Sequence, residues 1–75
     1  MEDYREEYFT YLTLEFADLG QSKTIRQLAY YNLCSEEIDR CQRYQKSQPD
    51  MFRYHLRILE QYIEAYREIL NQPVI

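Results

Sequence analysis

Apolar positions recur with a helical period in three stretches of this chain, and the short polar segments between them carry turn and capping residues. Over residues 3–19, Phe9, Leu12, Phe16 and Leu19 follow one another at spacings of three and four, flanked by Tyr4, Tyr8 and Tyr11. The pattern predicts one amphipathic helix. Glu2, Asp3, Glu6 and Glu7 crowd its first turns, where the helix dipole favours carboxylates, and Gly20 stands where a C-cap belongs.

The second stretch, residues 23–46, begins after Ser22, read as its N-cap, and carries Ile25, Leu28, Ala29, Ile38, Cys41 and Tyr44 as apolar positions. Its spacing breaks midway. Ser35 followed by Glu36 and Glu37 has the form of a fresh N-cap with an acidic first turn, so the stretch is either one kinked helix or two short helices meeting near Asn32 to Ser35. The signals favour the break. The third stretch, residues 49–71, opens with Ser47 and Asp50 in capping-box spacing around Pro49, and Pro73 forbids continuation. Two seams run along it: Phe52, His55, Leu59, Tyr62, Tyr66 and Ile69, and Leu56, Leu59, Ile63, Tyr66 and Leu70. Together they are wider than a coiled-coil stripe, so this helix expects two neighbours.

The expected fold is therefore all-α: a small three-helix bundle forming one domain over residues 1–75, its third helix central and its middle helix kinked or split. A helical hairpin completed by dimerisation is the alternative. With 75 residues the core is small, and burying more apolar surface between chains would add stability, which makes a homodimer the expected self-association.

Charge narrows the choice of partner. The formal net charge of −4 opposes general attraction to nucleic acid or anionic membranes. It is unevenly spread: Glu2, Asp3, Glu6, Glu7, Glu15 and Asp18 against Arg5 give −5 in residues 1–19, whereas residues 22–47 sum to +2. Pairing of an acidic first helix with a more basic second one follows. No apolar run approaches the roughly 20 residues of a membrane span, and MEDYREEY is acidic where a signal peptide would be basic, so a cytoplasmic protein is expected.

Candidate chemistry is sparse. Cys34 and Cys41, seven apart, would lie about 10 Å apart on a continuous helix, too far for a disulfide, and read as reduced, small apolar residues. His55, the sole histidine, sits in a core seam, and Glu60, Glu64 and Glu68 form a polar helix face without the paired histidine of di-metal bundles. No catalytic, cofactor or metal site is expected, and the chain reads as non-enzymatic.

Nine tyrosines are the unusual feature. Tyr combines a large, stiff surface with a hydroxyl that stays wet at a rim, which suits protein interfaces. Tyr4, Tyr8, Tyr11, Tyr30, Tyr31 and Tyr54, with Glu6 and Glu7, are the candidate partner-binding residues of a small interaction module, a regulator, inhibitor or subunit docked on a larger protein. One alternative is an acidic mimic of nucleic acid, of the kind some phages encode, occupying a basic groove of a nucleic-acid-binding protein. Another is a DNA-binding regulator: residues 25–40 resemble a helix-turn-helix unit, although Glu36, Glu37 and Asp39 would repel phosphate at the start of its second helix.

Overall fold

A computed structural model describes residues 4–72 as three α-helices: α1 (Tyr4–Asp18), α2 (Ile25–Tyr44) and α3 (Pro49–Asn71). Glu2, Asp3 and Pro73, which entered the helix-boundary expectations, lie outside the described residues. The three-helix bundle is the observed architecture. α2 runs antiparallel to α3, with Ser22 near Tyr66 and Glu37 near His55. α1 runs parallel to α3, with Phe9 against Phe52 at one end and Glu15 paired with Arg67 at the other. The bundle is slender, 48 × 17 × 15 Å.

α1 closes on a tight last turn, in which the Leu19 amide donates to the Phe16 carbonyl at 3.3 Å, and Gly20 follows at φ 91°. That is the left-handed C-cap conformation glycine adopts without penalty. α3 matches its predicted span, and both seams are packed. Phe52, Leu56, Leu59, Ile63, Tyr66 and Ile69 are buried, while His55, Tyr62 and Leu70 lie partly buried beside them. Phe9 and Leu12 complete the core from α1, and Cys34 and Cys41 from α2.

Three local expectations are corrected. α2 is one continuous helix through Asn32–Ser35, with no cap or turn at Ser35. Its N-cap is Thr24 rather than Ser22: the Thr24 hydroxyl accepts the Gln27 amide at 3.1 Å, and the Gln27 side chain reaches back to accept the Lys23 amide at 2.6 Å. This is a capping box displaced by one residue. Ser22 instead hydrogen-bonds the Tyr66 hydroxyl at 2.9 Å, tying the α1–α2 loop to the core. At α3 the N-cap is Gln48, which makes no side-chain cap bond, while the Ser47 hydroxyl donates to the Arg43 carbonyl; Pro49 in the first turn supplies the helical φ in their place.

The correction that matters most concerns which side of α2 faces inward. Gln27, Cys34, Glu37 and Cys41 are its buried residues, whereas Ile25, Leu28 and Ala29 are exposed. The apolar spacing changes midway because two different faces are apolar, one at each end of an unbroken helix. The predicted α1–α2 charge pairing also gives way. Among the described residues Glu15 of α1 pairs with Arg67 of α3, while α2 pairs Arg40 with Glu37 and Arg43 with Asp39 along itself and Glu37 with His55 of α3.

Candidate docking groove

Rings, rather than closely fitted backbones, join α1 to the rest of the bundle. Phe16 packs on Tyr31 with centroids 4.9 Å apart and on Tyr66 at 5.9 Å, and Tyr31 meets Tyr66 edge-on at 6.1 Å. Bulky rings hold helices apart. A groove of about 520 Å³ opens where α1 and α2 diverge from their connecting loop, lined by Phe16, Ala17, Gly20, Gln21, Ser22, Leu28 and Tyr31. Tyr66, fully buried, sends its hydroxyl to Ser22 at the loop end.

Apolar side chains continue on either helix beyond the groove. Leu28 is 50% exposed, Leu14 62% and Ile25 88%. On α1, Glu6, Thr10, Thr13 and Ala17 share one strip at spacings of four, three and four. The Thr10 hydroxyl donates to the Glu6 carbonyl at 3.1 Å and the Thr13 hydroxyl to the Thr10 carbonyl at 2.8 Å. Their hydroxyls are thus satisfied by their own helix, and the strip loses polar demand.

The predicted tyrosines do not converge. Tyr31 alone among them lines the groove. Tyr4, Tyr11 and Tyr54 are exposed, and Tyr8 and Tyr30 are partly buried. Tyr54 leans edge-on against His55 at 5.1 Å and is twelve residues, about 18 Å of helix, from Tyr66. Tyr8 stacks near Tyr11 at 6.2 Å and belongs to the α1–α3 junction: burial, and then the Glu60 carboxylate it bonds, raise its hydroxyl pKa. Glu6 and Glu7 are exposed on α1, and like Asp18 they make no ion pair among the described residues. Sequence reasoning assigned Ile25 and Leu28 to the apolar face of the second helix, whereas both are exposed. The signal for both was present: T-x-x-Q at 24–27 marks a helix start whose buried strip runs through Gln27, leaving Ile25 and Leu28 outside.

A second cluster is polar and buried. Glu37 accepts from Arg40 at 2.7 Å through Oε1 and from His55 Nδ1 at 2.8 Å through Oε2, its side chain 7% exposed and that of His55 13%. Tyr44 stacks on the same imidazole at 5.5 Å. With each carboxylate oxygen committed to a donor, the group braces α2 against α3. Burial pushes the Cys34 thiol up to about 12; burial and then the Glu37 charge do the same for Cys41. Neither offers a thiolate near neutral pH. Among the described residues no group of three His, Cys, Asp or Glu could hold a metal ion, and no helix is long and apolar enough to cross a membrane. Residues 25–40 form one continuous run of helix, so the two-helix unit of a helix-turn-helix is not present.

No protein-family model, curated protein or solved structure matches the chain.

Proposed function

We propose that this protein is a non-enzymatic interaction module that docks on a larger protein through the α1–α2 groove and acts as a regulator, inhibitor or subunit. One observation carries the reading: Phe16, Leu28 and Tyr31 line an open groove in which Leu28 is half exposed, while Gln27 and Glu37 occupy the buried strip of the same α2 helix. An apolar surface beside an open groove gains free energy when a partner covers it. Tyr31 and Phe16 supply stiff aromatic walls of the kind that anchor interfaces.

The test is partner capture by the tagged chain, compared with a Leu28→Ser, Tyr31→Ser variant whose helicity and melting are checked by circular dichroism. A folded variant that loses the captured protein is the expected result. Undiminished capture by a folded variant would remove the groove from the interface.

A further inference from the structure

We propose that the solvent face of α3 pairs with the same face of a second copy of this chain, the two helices antiparallel and the two-fold axis passing between Glu60 and Gln61. This surface is separate from the α1–α2 groove, so a partner in the groove and a second copy on α3 are independent of each other.

Leu59 is fully buried, and Arg53, Arg57, Glu64 and Glu68 lie on the opposite side of α3, within about 60° of one another at about 100° per residue. All four are exposed, and none makes an ion pair among the described residues. Their order does not serve their own helix. Arg53 and Arg57 repel each other at a spacing of four, as do Glu64 and Glu68, where opposite signs would attract. Glu68 also stands in the last turn of α3, where the helix dipole disfavours a carboxylate and no basic residue offsets it. The strip is thus basic at one end and acidic at the other, an arrangement that an antiparallel copy of itself would neutralise.

Spacing sets the register. Residues 53 and 68 share their midpoint with residues 57 and 64, between 60 and 61. In a two-fold antiparallel pair each residue meets the one equally far beyond that midpoint. Arg53 then faces Glu68 of the second copy and Arg57 faces its Glu64, and each contact occurs twice. A charge beside the axis would meet its own twin. Glu60 avoids this, because it leans toward α1 and accepts the Tyr8 hydroxyl there. Gln61 is left at the axis, neutral, with an amide that both donates to and accepts from its twin. Tyr54 stands beside Arg53 and Arg57, and Tyr11 beside Glu60 and Glu64, 61% and 58% exposed. These rings at the margins add the apolar surface that the ion pairs lack. Exposed ion pairs contribute little each and are screened by salt, so the dimer is weak and salt-sensitive.

The test is sedimentation equilibrium of the intact chain over a wide range of concentration. At low salt the mass should rise from 9.3 kDa toward twice that value, and high salt should abolish the rise. Arg57→Glu alone and Glu64→Arg alone each set like charges face to face, and should weaken association about tenfold or more. Arg57→Glu, Glu64→Arg on one chain makes every facing pair opposite again and keeps the net charge of −4, so association should recover. Arg57→Glu, Glu68→Arg keeps that charge too but mismatches both contacts, and should stay weak. All three positions are exposed, so circular dichroism should show native helicity throughout. A native chain that remains at 9.3 kDa at every concentration would overturn the pairing. So would a dimer indifferent to Arg57→Glu, because another surface would then hold the second copy, the groove if Leu28→Ser dissolves it. Failure of the matched double to recover, or equal recovery of the mismatched one, would overturn the antiparallel register.

Discussion

Glu37 is the residue whose position asks most of its surroundings. A carboxylate placed between packed helices loses hydration, and only a full set of charged or polar donors offsets the cost. His55 from α3 and Arg40 from its own helix supply them. His55→Leu should therefore destabilise the chain by about 3 kcal/mol, because Glu37 is left buried with one partner. Adding Glu37→Leu should restore much of that, Arg40 being exposed enough to turn to water. Urea unfolding of both single variants and the double would show it; losses that simply add would mean the pair is not coupled. The cysteines are the quiet counterpart. Their thiols ionise near 8.5 in an unfolded chain and near 12 in the fold. The neutral thiol is thus favoured by folding. That contribution is whole below the unfolded value and is lost as pH rises through the folded one. The urea midpoint should fall between pH 9 and 11, less steeply in Cys34→Ser, Cys41→Ser. At pH 8 a disulfide reagent should label the native protein far more slowly than the unfolded chain, and equal rates would contradict the burial.

At the scale of the element, α2 decides between two readings of one serine. If Ser35 began a second helix, its removal would cost about 1 kcal/mol. In the continuous helix it is an exposed interior position, where alanine is the better residue by up to about 0.7 kcal/mol. Ser35→Ala should raise the melting temperature slightly, and Thr24→Ala, at the observed N-cap, should lower it by the equivalent of about 1 kcal/mol. A destabilising Ser35→Ala would restore the split. α3 was legible because it presents most of its apolar residues on one side and starts at Pro49, and α1 because Phe9, Leu12, Phe16 and Leu19 form one inward strip that stops at Gly20, although Leu14 lies off it. α2 was not, because Gln27 and Glu37 lie on its buried strip while Ile25 and Leu28 lie off it. Hydrophobicity marks the core only when polar residues stay out. Here Gln27 is buried to cap the helix and Glu37 to bind His55, so the pattern pointed to the wrong face. The candidate site was hidden for the same reason: tyrosine count drew attention to six scattered residues, of which only Tyr31 lines the groove.

In the whole molecule the three helices are not equals. α2 and α3 pack most closely with each other, and α1 joins them through Phe9, Leu12 and Phe16, the rings around Tyr66, and the Glu15–Arg67 pair. Fewer close contacts mean a lower local opening free energy, so amide exchange in α1 should be faster than in α2 and α3. Phe16→Ala should widen that difference by removing the ring that touches both Tyr31 and Tyr66, leaving the exchange of the α2–α3 pair less altered. Uniform protection across all three helices would instead mean that the bundle opens only as one unit. The consequence reaches the groove, since α1 is one of its walls. A wall that opens on its own makes the site intermittent, and a guest that binds only the closed arrangement must stabilise α1 by mass action. Slowed exchange in α1 on adding the captured partner, absent in Leu28→Ser, Tyr31→Ser, would tie the loosest helix to recognition. Slowing confined to α3 would place the partner on another face.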